Sequence, residues 1–386
     1  MKDRTDRDKR INTAFSVIYF AAIVFVIAIY IKSIYNVEYF SAFDSQEQVL
    51  IHILFSIAGL LFASVVGMLL QTIVHEVGHL IFGVLTGYKF NSFHFLIFEL
   101  YKKNGRLKFR LSIVPGAAGQ CLMIPPNPVN GKYPVQLYYL GGVMMNIISG
   151  AALIGVYFAI REEAFSACAI LIIAISGFFF AFINGIPLRA KVNNDGYNAV
   201  ELSKSIEARL ANWRLLKIND LHNNGVEFKD MPDELFGIPE SEKFGSSTEA
   251  SVACLICQRL LEKRQFDEAD KLMAQLLEQR TVITVYQRDV LLCERIFYEL
   301  VHQNRREVIE EMRTEEQKEF LRKKRLTPTV MRAEYAYALL AEHDTEKADK
   351  IKAKFDESFG RFVNDEYIKL QLEMMELAKS RADQIH

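Results

Sequence analysis

VLIHILFSIAGLLFASVVGMLLQTIVHEVGHLIFGVL, residues 49–85, is the stretch whose reading decides how this chain folds. It is almost unbroken in its apolar character, and as a continuous helix at 1.5 Å per residue it would extend ~55 Å, well beyond a ~30 Å hydrocarbon core. Such a helix must tilt, bend near Gly67 or protrude. Its polar group is HEVGH, from His75 to His79. A helix sets these two histidines on one face, four residues apart, where two imidazoles can hold one zinc ion. Glu76 then stands beside them, placed to take a proton from water. Ionisable groups are costly in a lipid-facing segment and are kept there for function. The competing reading is two helical histidines and a glutamate that face a polar groove.

Working outward, 386 residues suffice for two or three domains. The 51% hydrophobic content and 28 Phe are unevenly spread, with an apolar-rich chain up to about residue 187 and a densely charged one from about 198. That contrast predicts a membrane half and a soluble half. A formal net charge of −1 lacks the basic excess that phosphate binding draws on, so no nucleic-acid partner is expected. The cysteines are Cys121, Cys168, Cys254, Cys257 and Cys293. Cys254 and Cys257 make a CxxC within a helical pattern, without a second pair to complete a zinc site, and read as core residues.

Four spans are expected, at about 11–32, 49–86, 134–160 and 164–187. The basic opening MKDRTDRDKR predicts a cytosolic N-terminus and an anchored first helix. The loop from Ser33 to Gln48 carries Glu38, Asp44 and Glu47 and no Lys or Arg, which suits the outer face. HEVGH therefore lies toward the cytosolic end of the second span. A β region at 88–115 follows, with Asn104-Gly105 as a tight hairpin turn and a basic bias that suits the cytosol. His94 in its first strand reads as structural. An edge of this hairpin could pair with an unwound substrate strand.

The third span begins GGVMMNIISG, where Gly141, Gly142 and Gly150 permit close helix contact and Asn146 is a polar group with little reason to face lipid. The fourth ends in NGIPLRAKVNNDG; Pro187 breaks the helix, and the chain beyond it can carry Asp195 back to the histidines. The alternative for Asn193 to Gly196 is an ordinary surface turn.

HEVGH in an apolar helix, a sheet after it, Asn146 in the next span and NGIP with NDG beyond resembles the site-2 protease family of intramembrane zinc metalloproteases. The resemblance covers about residues 49 to 200. It implies one zinc ion held by His75, His79 and Asp195, with Glu76 as general base and Asn146 near the reacting carbonyl. The family often has Gly-Pro where this chain has Gly141-Gly142, and Leu-Asp-Gly where it has Asn194-Asp195-Gly196.

The expected domains are therefore 1–200, then a helix and linker at 201–246 with Pro232, Gly237, Pro239 and Gly245, and a helical domain at 247–386. In the last, LLEKRQFDEADK from Leu260 recurs as LLAEHDTEKADK from Leu339, which halves to a repeat of ~40 residues. This is similar to tetratricopeptide-type repeats and implies a partner-binding surface. The expected fold class is mainly α, a polytopic membrane bundle with a small β insertion and a soluble helical-repeat domain. The expected location is a bacterial cell membrane, with both termini cytosolic. The leading expectation for function is a zinc endopeptidase acting on transmembrane proteins or peptides. The alternatives are a membrane-anchored scaffold with a vestigial or structural metal site and a zinc hydrolase with a non-peptide substrate.

Overall fold

A computed structural model of the chain describes residues 2–35, 43, 45–112, 118–188, 193–237, 244–279, 282–360 and 366–385. Glu38 and Asp44 of the acidic loop, the end of the expected β region, and Pro239 lie outside these residues. Among the described residues the fold is fourteen α-helices and one antiparallel four-stranded sheet. It divides into two compact units, Met1–Asp220 and Leu221–His386.

In the first unit, α1 (Lys2–Ile34), α2 (Gln46–Leu85), α3 (Gln136–Ala159) and α4 (Ala164–Gly185) each contain an apolar window long enough to cross a membrane. Ser45 caps α2 by accepting from the Gln48 N–H, and Glu47 sits in the first turn where the helix dipole favours it. Gly87, at φ +85, lies just past its other end. Gly67 does not interrupt α2. A Cβ there would lie 2.9 Å from Ser176 Oγ and 3.2 Å from Ile173 Cα, so the glycine lets α4 come close. Along α1, Tyr19, Ile23, Val26 and Tyr30 pack on Leu60, Cys168 and Ile172. The hydroxyls inside this apolar packing are satisfied: Tyr19 Oη lies 2.8 and 2.9 Å from Ser64 and Ser176 Oγ, and Tyr30 donates to Ser56.

The sheet runs β3-β2-β1-β4, with β1 Lys89–Phe95, β2 Phe98–Lys103, β3 Arg106–Leu111 and β4 Gly119–Ile124. The hairpin turn falls at Asn104-Gly105, both with positive φ, as a mirror-image two-residue turn requires. The stretch from Tyr88 to Tyr101 is two strands instead of one. Leu96 takes φ 56 in the turn between them, where neither Gly nor Asn marked a turn. β4 was not expected, because GQCLMI is short and nearly all apolar. It pairs with β1 and packs on α2. The hairpin's free edge is β3, and β4 is the other edge of the sheet.

Two helices complete this unit, α5 (Asp195–Lys204) and α6 (Ile206–Asn223). Leu202, Ala208 and Trp213 pack with Tyr88, Tyr133 and Tyr138. Tyr139 donates to Asn212 Oδ1 at 3.0 Å. The division between units falls after Asp220, near the end of the helix expected at the start of 201–246, and α6 carries an apolar face that stays on the first unit.

The second unit opens with two 3₁₀ turns, Phe228–Asp230 and Asp233–Phe236, in the stretch expected as linker. Phe228, Met231, Leu235 and Phe236 are buried, and Arg259 donates to the Met231 carbonyl at 2.9 Å while lying over the Phe236 ring. Four large apolar residues outweigh the Pro and Gly signals. Then follow α7 (Ser247–Glu262), α8 (Phe266–Glu278), α9 (Val285–His302), α10 (Arg306–Met312), α11 (Glu315–Lys323), α12 (Pro328–Leu340), α13 (Thr345–Phe359) and α14 (Glu366–Ile385). The two matched segments are the turns α7–α8 and α12–α13, with Arg264 and His343 in left-handed backbone and Ala269 and Ala348 fully buried. A third copy lies between them. Asn304 turns α9 into α10 with the same backbone, and Ile309 is buried where the others have alanine, giving turns about 40 residues apart.

Cys254 and Cys257 lie on α7 as free thiols, Cys257 buried in the core and Cys254 half-buried, and burial pushes Cys254 up to about 12. Deeper in this unit Arg332 is fully buried, donates to Glu294 at 2.7 Å and lies over the Phe297 ring. Glu294→Leu would strand that guanidinium in an apolar core. The expected loss is about 3–5 kcal/mol, read from the urea unfolding transition of the second unit.

Candidate metal centre

The polar residues of α2 form one stripe. Gln71, Thr72, His75, Glu76 and His79 recur at helical spacing and all are buried. They face α3, α4 and β4. At the level of the histidines α2 and α3 touch through glycine backbone, since a Cβ on Gly78 would stand 2.4 Å from the Gly141 carbonyl oxygen. Gly142 faces the His75 ring directly: a Cβ there would lie 2.6 Å from its Cε1 and Nδ1. Gly142→Ala must therefore rotate the imidazole away. We expect the affinity of this group for a divalent ion, probed with zinc, to fall roughly 10–100-fold in competition with a chromophoric chelator, while helix content by circular dichroism is retained.

Each imidazole is held through Nδ1. His79 Nδ1 donates to the Tyr138 carbonyl at 2.8 Å, and His75 Nδ1 donates to Asn146 Oδ1 at 2.7 Å. The Asn146 amide is oriented in turn, because its Nδ2 donates to the Gln71 carbonyl and to Gln71 Oε1, both at 2.9 Å. Ser149 also donates to Gln71 Oε1. Both Nε2 atoms consequently present lone pairs, and they lie 3.1 Å apart.

Asp195 arrives from the other side. It is the first residue of α5, whose cap Asn194 accepts from the Tyr197 N–H. The Asn194 amide also donates to the carbonyls of Ile183 and Ile186, at 2.7 and 2.6 Å, which ties the start of α5 to the end of α4. Gly196 permits this approach, since any Cβ would meet the Gly185 carbonyl. Asp195 Oδ2 thereby sits 2.9 Å from His75 Nε2 and 3.4 Å from His79 Nε2.

Among the described residues His75, His79 and Asp195 are the group that can hold a metal ion. The donor set fits one. Three lone-pair atoms at 2.9, 3.1 and 3.4 Å repel one another unless a cation lies among them. Their separations approach the ~3.3 Å edge of a tetrahedron whose bonds are 2.0–2.1 Å. A proton on one imidazole would relieve fewer of these contacts than an ion. Asp195 is the most open of the three, 19% exposed against 7% and 8% for the histidine side chains.

Glu76 turns toward β4. Its Cγ and Oε1 would lie 2.8 and 2.9 Å from a Cβ on Gly119, so the carboxylate rests over bare backbone. Both imidazoles and Asp195 are its electrostatic neighbours. All five residues singled out in the sequence thus come into one neighbourhood, but Asn146 plays a different part in this geometry. Both of its amide hydrogens go to Gln71, and its oxygen holds His75. His94 is buried elsewhere, with Nε2 3.1 Å from the Ser112 carbonyl, and is not in the cluster. The sequence reading missed Gln71, although it stands one turn before His75 on the same polar stripe. It also missed the Tyr138 carbonyl and Gly119, for which no residue type gives a signal.

Comparison with protein-family models, with curated proteins and with solved structures returns no match.

Proposed function

We propose that this chain is an intramembrane zinc endopeptidase that cleaves transmembrane segments of membrane-anchored proteins or peptides near the cytosolic face. The observation that carries this reading is the meeting of Asp195 Oδ2 with His75 Nε2 and His79 Nε2, which stand with Glu76 on a helix long and apolar enough to cross a membrane. Three protein ligands are the number that leaves zinc open for chemistry, whereas structural sites are closed by four.

His75, His79 and Asp195 would hold the ion. Zinc supplies a Lewis acid that polarises a carbonyl and brings the pKa of water toward ~7. Glu76, buried over Gly119, takes the proton from the attacking water and gives it to the leaving amine. Asn146 and Gln71 fix the tautomer and plane of His75, so that Nε2 would offer its lone pair to an ion without reorganisation. The Tyr138 carbonyl does the same for His79. The rings of Tyr138 and Phe180 shield the imidazoles from bulk water, and the exposed edge at Asp195 is the side from which water enters. A transmembrane helix hides its amides in its own hydrogen bonds, so the substrate must unwind locally to present one here.

Zinc determined per protein in detergent-purified wild type tests this reading. The expected value is about one ion. A correctly folded protein without zinc overturns the peptidase and leaves a membrane-anchored partner-binding protein as the better account.

A further inference from the structure

The second unit carries a hollow of about 890 Å³ among α11, α12 and α13 that the helix packing leaves open. Its two walls repeat one pattern. Lys318, Leu321, Arg322 and Arg325 fall at i, i+3, i+4 and i+7 along α11 and just past its end. Lys347, Lys350, Ile351 and Lys354 do the same on α13. Each wall turns three cations and one aliphatic side chain toward the hollow. Its floor is Val330 and Met331 at the start of α12, with Leu326 exposed in the turn just before that helix. Among the described residues Glu334 is the one acid in the lining, and it is paired with Arg313 at 2.6 Å.

Such an excess of positive charge is local, because the whole chain has a net charge of −1. Four of the wall lysines contact glutamates that do not line the hollow: Glu315, Glu342, Glu346 and Glu357. These pairs are solvent-exposed and therefore weak, so an incoming carboxylate can compete with them. Among the described residues Arg322 and Arg325 have no carboxylate in ion-pair contact. The hollow exists because the repeat is broken there. α10 ends at Met312 after seven residues, and α11 follows as an extra helix that forms the second wall.

We propose that this hollow is a docking site for an acidic segment of a partner protein, punctuated by apolar side chains. Concavity and an apolar floor separate this occupant from an anionic lipid surface, which is flat and would meet the rim alone. A nucleic-acid strand fits less well, because among the described residues no Phe, Tyr or Trp lines the hollow to stack on bases. Carboxylates at the two cationic walls and aliphatic side chains on the floor satisfy both parts of the lining. The inference is independent of the metal centre.

The test pans a random phage-displayed peptide library on the full-length protein in nanodiscs, then titrates the enriched peptide, fluorescein-labelled, by anisotropy. The expected consensus interleaves Asp or Glu with Leu, Ile, Val or Met, and binding weakens as salt rises. Affinity should fall at least tenfold in Arg322→Glu/Lys350→Glu and in Leu326→Asp, with circular dichroism unchanged in both. Phosphatidylglycerol vesicles and oligo-glutamate serve as competitors. Vesicles that displace the peptide more effectively than free peptide does would assign the hollow to lipid. Oligo-glutamate as potent as the selected peptide would remove the role of the floor. No enrichment, a consensus without acidic residues, or equal binding by both variants overturns the proposal.

Discussion

Glu76→Gln is expected to keep its zinc and to lose peptide-bond hydrolysis by about 10²–10⁴-fold, the range that a positioned general base supplies. Glutamine matches glutamate in shape, so it fits the same slot over Gly119 without a clash. What it lacks is a carboxylate to accept the proton and pass it to the leaving amine. The measurement pairs zinc content with turnover of a tagged transmembrane substrate reconstituted in liposomes. Intact zinc with lost turnover isolates the proton transfer from the metal site. Full turnover would remove Glu76 from the chemistry and with it the peptidase mechanism. Should the variant also lose zinc, Glu76 would be acting on the centre itself.

How far the sequence speaks depends on whether a feature is local. The helix pattern and the His75–His79 spacing are local, and both survive in the structure as a single continuous α2. Asn104-Gly105 is local too, and the turn falls there. Leu96 could not be found, because a leucine with positive φ is held by the strands on either side and not by its own preference. The linker expected before residue 247 was misplaced for a related reason. Its Pro and Gly residues do punctuate the chain, yet Phe228, Met231, Leu235 and Phe236 find α7 and bury. In the repeats, the middle turn escaped notice because Ile309 replaces the small residue that marked the other two.

At the metal centre the same division holds. Side chains able to bind a metal were legible by type, but their supports were not. The carbonyl that holds His79 belongs to Tyr138, and any residue in that register would offer it. Asn146 was legible as a polar group in an apolar span, whereas its role required knowing that Gln71 takes both of its amide hydrogens. The glycines behave likewise. Gly141 and Gly142 suggested close helix contact, and only the packed structure identifies the His75 ring as the group that fills the space beside Gly142.

Asp195→Ala is expected to lower zinc affinity by at least ~100-fold, more than loss of a supporting residue would, since it removes one of three ligands. The substitution leaves the local fold in place, because Asn194 and not Asp195 caps α5 and ties it to Ile183 and Ile186. The observable is zinc per protein after dialysis against a weak chelator, with helix content by circular dichroism as the folding control. His79→Ala should lose zinc as well, and the comparison is informative in both directions. Loss in both variants supports an open site built from one carboxylate and two imidazoles. Loss in His79→Ala alone would mean that a different group supplies the third bond and that Asp195 is held near the histidines by α5 packing. In that case the carboxylate's exposed edge, at 19% the most open in the cluster, would be the place where substrate or water meets a second acid. A Glu76→Gln/Asp195→Ala pair would then show whether the two carboxylates act together, through a loss of turnover that departs from the product of the single losses.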